Sequence, residues 1–167
     1  MMSSVIPAAP IASDSPGEVT IRRMNKRDYD YVVTTVEQWW GGPLIQLAQP
    51  VFFYELGRQA LVAEDARNRT LAGFLLGFVV SADGGDHVGY VHLVGVTPEY
   101  RRRSIGRGLY RVFSDSSMAA GCRRLKAVVA PKNDVALQFH QALGWMAVED
   151  TDYAGPGRRR IVLTREL

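Results

Sequence analysis

Between His87 and Ala130 the hydrophobic period of the chain changes twice, and this constrains the fold more than any other feature. His87 to Val96 is a strand candidate. After Pro98 the pattern turns helical, with Leu109, Val112, Phe113, Ser116 and Ala120 on one face and Gly121 at the end. Leu125 to Ala130 then reads as a short buried strand. Strand, helix and strand in succession make a crossover whose outer strands should lie parallel.

The flanking segments predict a different connection. Ala60 to Glu64 and Thr70 to Ala82 are strand candidates separated from each other, and from His87, by Asn68-Arg69 and Asp83-Gly84-Gly85-Asp86. Both separators are turn chemistry, which predicts antiparallel hairpins. Val19 to Met24 alternates as a first strand, and Asn25 can cap a helix through Tyr29, Val32, Val33 and Val36 to Trp39-Trp40, with Gly41-Gly42 as its stop. Leu44 to Leu56 keeps an irregular helical spacing that Pro50 should break. Asn133 to Leu143 predicts another helix, and Trp145 to Glu149 with Ile161 to Thr164 the closing strands. The expected fold is α+β, a mixed sheet that is mostly antiparallel around one central parallel pair, with helices on both faces.

At 167 residues, with 47% apolar and 22% charged residues, the chain has the size and composition of one packed domain. We expect it over residues 18–167, behind a flexible tail of 1–17 rich in Ser, Ala and Pro. No apolar run approaches a membrane span, since Leu71 to Ala82 is broken by Gly73 and Gly77. Cys122 is the one cysteine, so no internal disulfide can form. The expectation is a cytoplasmic protein without membrane partners, and exposed strand edges leave room for a homodimer. Net charge is only +3, which favours a local anion site over the broad footprint of a nucleic-acid binder.

Val94-Gly95-Val96 leads through Thr97-Pro98-Glu99-Tyr100 into Arg101-Arg102-Arg103-Ser104-Ile105-Gly106-Arg107-Gly108, a strand, a basic turn and a helix start. Gly106 and Gly108 remove side chains where a ligand could approach backbone, and the first helical N–H groups can point at a phosphate. The arginines can add charge-assisted hydrogen bonds. No Gly-Lys-Ser/Thr follows, and the third glycine of a dinucleotide fingerprint is absent.

Arg103-x-x-Gly106-x-Gly108 resembles the pyrophosphate-binding motif of the GNAT superfamily of acyl-CoA-dependent N-acetyltransferases. Asn133-x-x-Ala136-x-x-Phe139-His140-x-x-x-Gly144-Trp145 resembles the family's second segment at every spacing. The resemblance implies that the central parallel pair splays and that acetyl-CoA is the donor. It implies that Val94, Gly95 and Val96 pair with the pantetheine arm and that Arg101 to Gly108 (Arg101, Arg102, Arg103, Ser104, Ile105, Gly106, Arg107, Gly108) holds the pyrophosphate. Asn133 would bond the pantetheine, with Phe139 packing beside it. No metal is implied. Pantetheine is a pseudo-peptide, so an open strand edge would receive it as an added strand.

His140 stands where the family most often has the tyrosine that protonates the departing thiolate. An imidazolium is a stronger acid than a phenol, and a neutral ring could still donate one N–H; alternatively His140 only forms pocket wall. The base that takes the amine's proton could be His92, on the face of the central strand shared with Tyr90 and opposite Val91 and Leu93, or it could be a half-buried structural residue. Glu64 and Glu55 are weaker candidates. Trp39 or Trp40 is expected to touch the acceptor, whereas Phe52 and Phe53 read as core. Arg158-Arg159-Arg160 suits a solvated turn, with an acidic acceptor or a partner chain as the sharper reading. Cys122, at a helix end, is a poor nucleophile. These residues predict an N-acetyltransferase in which a small-molecule or peptide primary amine attacks acetyl-CoA directly in a ternary complex. A silent acyl-CoA sensor is the first alternative and a nucleic-acid-binding module the second.

Overall fold

A computed structural model of the chain describes residues 19–40, 45–81 and 85–167. Among the described residues seven strands form one sheet: β1 (Val19–Arg23), β2 (Leu61–Asp65), β3 (Leu71–Ser81), β4 (His87–Val96), β5 (Cys122–Val129), β6 (Met146–Asp150) and β7 (Arg160–Glu166). Their order is β1-β2-β3-β4-β5-β7-β6. The pair β4–β5 is parallel and every other pair antiparallel. The crossover and the hairpins therefore fold as their turn chemistry dictates. The expected N-terminal tail and the Gly41-Gly42 stop lie outside the described residues, as does most of the Asp83-Gly84 turn. No helix among the described residues is long and apolar enough to cross a membrane.

Helices α1 (Lys26–Trp40) and α2 (Val51–Tyr54) cover one face of the sheet; α3 (Ile105–Ala119) and α4 (Asp134–Ala142) cover the other. Helix α1 opens on a reciprocal cap. Asn25 Oδ1 accepts from the Asp28 N–H at 3.1 Å, and Asp28 Oδ2 accepts from the Asn25 N–H at 2.8 Å. Arg22 of β1 forks onto the same buried Asp28 at 2.6 and 3.0 Å and also binds Glu64 of β2, which takes Arg69 Nε at 2.9 Å. The hydrogen bond to Asp28 raises the Arg22 pKa most. One ionic knot thus joins β1, β2 and the start of α1. Pro50, expected to break a helix, stands at the N-cap of the four-residue α2, where its missing N–H costs nothing.

Ile105, Leu109, Val112 and Phe113 of α3 pack on Ile21, Leu61, Leu75, Val91, Leu125 and Leu163. On the opposite face, Tyr29, Val32, Val36 and Trp39 of α1 pack on Val62, Phe74, Leu76 and Leu93.

Two irregularities meet in β4. Leu76 pairs with Leu93 and Gly77 with Val91, so His92 is an extra residue, a β-bulge. Val91 faces α3, whereas His92 and Leu93 both turn toward α1 and α2. The simple alternation that would set Leu93 opposite His92 is corrected by this bulge. Pairing between β4 and β5 also ends at Val91–Ala127, although β4 runs on to Val96 and β5 to Val129. The parallel pair splays from that point.

A Cβ at Gly77 would stand 2.5 and 2.7 Å from two ring carbons of the fully buried Phe113. Gly77→Ala is expected to lower stability by about 1–3 kcal/mol in urea titrations, with the denaturant slope unchanged. An unaltered midpoint would show that α3 does not sit this tightly on β3.

Candidate active site

Beyond Val91, the edge of β4 that faced β5 has no strand partner, so alternate backbone groups of 92–96 open onto the gap. Val94 and Val96 turn their half-buried side chains toward the α3 face. Below the gap, Pro98–Tyr100 forms a 3₁₀ turn that Pro98 opens and Glu99 continues, and the chain enters α3 through two left-handed residues, Arg102 (φ 62°) and Ser104 (φ 60°). Holding L-residues there costs roughly 1–2 kcal/mol each, a strain that clusters at binding turns. The Ser104 side chain makes no cap, and the first α-helical bond runs from the Gly108 N–H to the Ser104 carbonyl at 2.9 Å. The N–H groups of Ile105, Gly106 and Arg107 are therefore left for an anion. A Cβ on Gly106 would meet Phe139 Cζ at 3.1 Å, and one on Gly108 would meet Ile21 Cδ1 at 3.0 Å. Both glycines thus let α3 pack closely on its neighbours; Gly108 faces β1.

The arginines divide their work. Arg101 donates from Nε to the Val96 carbonyl at 3.2 Å and from Nη2 to the Trp39 carbonyl at 2.6 Å, tying β4 to the last turn of α1. Arg103 lies 5.3 Å from the centre of the Tyr100 ring, whose hydroxyl donates to Asp65 Oδ2 at 2.6 Å. That bond holds the Asp65 carboxyl below its usual range. Arg102 and Arg107 are exposed at the turn.

Asn133 caps α4, its Oδ1 accepting from the Ala136 N–H at 3.1 Å, so its amide NH₂ is the part left to donate. Phe139 packs edge-on to Tyr110 of α3, with ring centres 5.6 Å apart. His140 is 3% exposed and engaged at both nitrogens. Nδ1 lies 2.7 Å from the Ala136 carbonyl, which can only accept, so Nδ1 carries the proton. Nε2 lies 2.7 Å from the Tyr110 hydroxyl and accepts from it. Burial lowers the His140 pKa and raises that of Tyr110. Neutral His140 therefore has no N–H to offer a thiolate, in contrast to the expectation drawn from its place in the motif.

His92 differs on the opposite face. Its Nε2–H donates to the Leu47 carbonyl at 2.6 Å, so Nδ1 carries the lone pair and has no partner among the described residues. Burial is the main reason its pKa falls below that of free imidazole. Phe52 stacks on it at 3.8 Å, with Phe78 and Tyr90 each 6.4 Å away. Tyr90 is pushed up to about 12, mainly by burial and further by the nearby Tyr153 of the β6–β7 hairpin. Lys126 Nζ sits 5.3 Å from the Tyr153 ring centre.

Trp39 is 9% exposed and packs on Phe74 and Tyr31, in the core rather than at the acceptor face. Trp40 ends α1, and its side chain lies outside the described residues. Phe52, expected in the core, is instead the ring against His92. Glu64 is held in the ionic knot and Glu55 is exposed at the end of α2. Cys122 begins β5 opposite His87, at the far end from the gap, and burial raises its pKa. Sequence reasoning missed Phe52, Phe78, Tyr110 and Tyr153. Only Phe78 carried a signal, since it pairs with Tyr90, which alternation sets on the face of His92; the other three come from elements whose packing the sequence does not specify.

A model of the acetyltransferase (GNAT) family matches residues 24–145. The chain belongs to the GNAT family. Among solved structures similar to this GNAT protein is one of the NatC complex bound to Gag peptide and CoA, with a TM-score of 0.75 at 16% identity, covering 90% of this chain and 99% of that one. Ard1 from Thermoplasma volcanium gives 0.73 at 18%, covering 90% and 98%. NAA60 from Arabidopsis thaliana in complex with acetyl-CoA gives 0.68 at 18%, covering 89% and 99%. At these identities the likeness is one of fold.

His140 has a consequence for the stability of this GNAT protein. Its folded pKa lies below the ordinary 6.5, so the unfolded chain takes up the proton first and stability falls as pH drops through that value. His140→Phe is expected to cost about 1–3 kcal/mol at neutral pH, because Tyr110 and the Ala136 carbonyl lose their partners. It should also flatten the fall in Tm between about pH 7 and 5, leaving the share due to His92. An unchanged slope would mean that His140 is not buried neutral.

Proposed function

We propose that this GNAT protein transfers the acetyl group of acetyl-CoA to the primary amine of a peptide, by direct attack in a ternary complex, with His92 as the base. One observation carries the reading: a neutral imidazole with its Nδ1 lone pair uncommitted stands at the bulge where β4 leaves β5. The donor supplies a thioester carbonyl for attack and a thiolate that leaves. Its pantetheine suits the open edge of 92–96, and its pyrophosphate suits the N–H groups of Ile105 to Arg107 beside Arg102 and Arg107. Asn133 adds donors from its free NH₂.

His92 Nδ1 takes the proton that the attacking amine releases, and the Leu47 carbonyl fixes the tautomer and steadies the cation that forms. His140 and Tyr110 act on position, holding α4 against α3, while solvent protonates the thiolate. Cys122 supports no acyl-enzyme route, being a buried thiol remote from the gap. A peptide acceptor is favoured by the similar NatC structure with its Gag peptide and by Naa50 from Arabidopsis thaliana with the bisubstrate analogue CoA-Ac-MVNAL.

Thiol release and mass spectrometry with free peptides, Nα-blocked lysine peptides and small amines test the reading; acetyl on a peptide α-amine is expected. A protein that binds acetyl-CoA and acetylates none of these amines would be a sensor. His92→Asn should lower kcat roughly 10²–10⁴-fold with acetyl-CoA affinity unchanged. In the wild type, kcat/KM should climb with pH through an imidazole pKa below 6.5, and that limb should vanish in the variant. An identical limb in both would remove His92 from the chemistry.

A further inference from the structure

The β6–β7 hairpin carries two features that the acetyl-transfer reading leaves unused: its basic tip and the cavity beneath it. Gly157, Arg158, Arg159 and Arg160 line a cavity of about 460 Å³ together with Ala130, Pro131 and Lys132, which follow β5. Every charged side chain in that lining is a cation. Arg159 has one acid nearby, Glu149 at 3.4 Å, in an exposed pair that screening weakens.

The tip is held in shape by its own backbone. Gly155 (φ 111°) and Gly157 (φ 70°) take conformations open to glycine. The Arg158 N–H donates to the Gly155 carbonyl at 2.8 Å, and the Arg158 carbonyl accepts from the Ala154 N–H at 3.1 Å. Two further carboxylates stand in the hairpin and serve the loop itself: Asp152 accepts the Gly157 N–H at 2.7 Å, and Asp150, opposite Arg160 in the ladder, accepts the Asp152 N–H at 3.1 Å.

Position links the cavity to the reaction. Tyr153, in the same hairpin, stands near enough to Tyr90, on the face that carries His92, to raise its pKa. Ala127 pairs with Val91, next to His92, and Ala130 lies three residues further along the outer arm of the gap. At strand rise this is about 10 Å. An extended peptide whose amine meets His92 reaches that distance with its second or third residue.

We propose that Lys132, Arg158, Arg159 and Arg160 form an anion subsite that selects acceptors carrying a carboxylate on the second or third residue from the reacting amine. The proposal rests on the reading of the acceptor as a peptide amine. The same oxyanion chemistry could come from the 3′-phosphate of the donor, so the test separates the two sources.

The full-length protein is assayed with peptides bearing Asp or Glu at residue two or three and with their Asn or Gln isosteres. The wild type should show a KM about tenfold lower for the acidic peptides, equivalent to one or two charge-assisted contacts. Lys132→Ala with Arg158→Ala should erase that difference without changing kcat or the KM of the amide peptides, and Arg158→Glu should invert it. Wild type and double variant should show the same ratio between acetyl-CoA and 3′-dephospho-acetyl-CoA. Equal KM values for acidic and amide peptides in the wild type would overturn the proposal. So would a loss in the double variant that appears only with donors retaining the 3′-phosphate. Calorimetric binding of the same peptides to the CoA-saturated protein decides the subsite separately from turnover. Failure to acetylate any amine sinks the acetyl-transfer reading, whereas equal binding of acidic and amide peptides sinks the subsite.

Discussion

Everything functional in this molecule depends on the loss of pairing between β4 and β5 after Val91. A parallel ladder continued to Val96 would close the sheet and saturate every backbone group of 92–96. Opened at that point, the sheet offers a pseudo-peptide a strand to pair with and gives passage between two faces with different equipment. The α3 face carries the strained turn at Arg102 and Ser104 with its uncapped N–H groups. The opposite face carries His92 beside Tyr90, and a bulge at the same place brings Leu93 to that face as well. The bulge and the loss of pairing fall together, so His92 stands where the sheet opens.

The two central histidines show how partners, rather than residue type, assign chemistry. Both are half or fully buried, burial lowers the pKa of both, and each gives its one N–H to a backbone carbonyl. His140 then receives the Tyr110 hydroxyl on its remaining nitrogen and is saturated. His92 keeps its lone pair, its ring stacked on Phe52 with Phe78 and Tyr90 beside it. Saturation suits His140 to a strut, and an uncommitted lone pair suits His92 to the proposed base.

The fold was legible in the sequence wherever a local rule has one outcome. The change of period after Pro98, the turn residues between the hairpins and Asn25 ahead of an apolar helix each led to the element observed. The acetyltransferase family was legible in Arg103-x-x-Gly106-x-Gly108 and the Asn133 segment for the same reason. The side chains at the site were less so, because their roles depend on tertiary neighbours. Trp39 beside a glycine pair looks like a pocket residue, yet the face of α1 it occupies is the one that packs on Phe74. Arg101 looks like a phosphate ligand, yet two carbonyls brought together by β4 and α1 claim it. Nothing local announces the bulge at His92, and without it the faces of β4 cannot be phased correctly.

The central claim concerns the protonation of one imidazole, and long-range ¹H–¹⁵N correlation of the histidine side chains reads it directly. At neutral pH the account predicts His92 uncharged with its proton on Nε2 and a bare Nδ1, alongside His140 uncharged with its proton on Nδ1. A His92 ring protonated at Nδ1, or carrying both protons at neutral pH, would contradict the account.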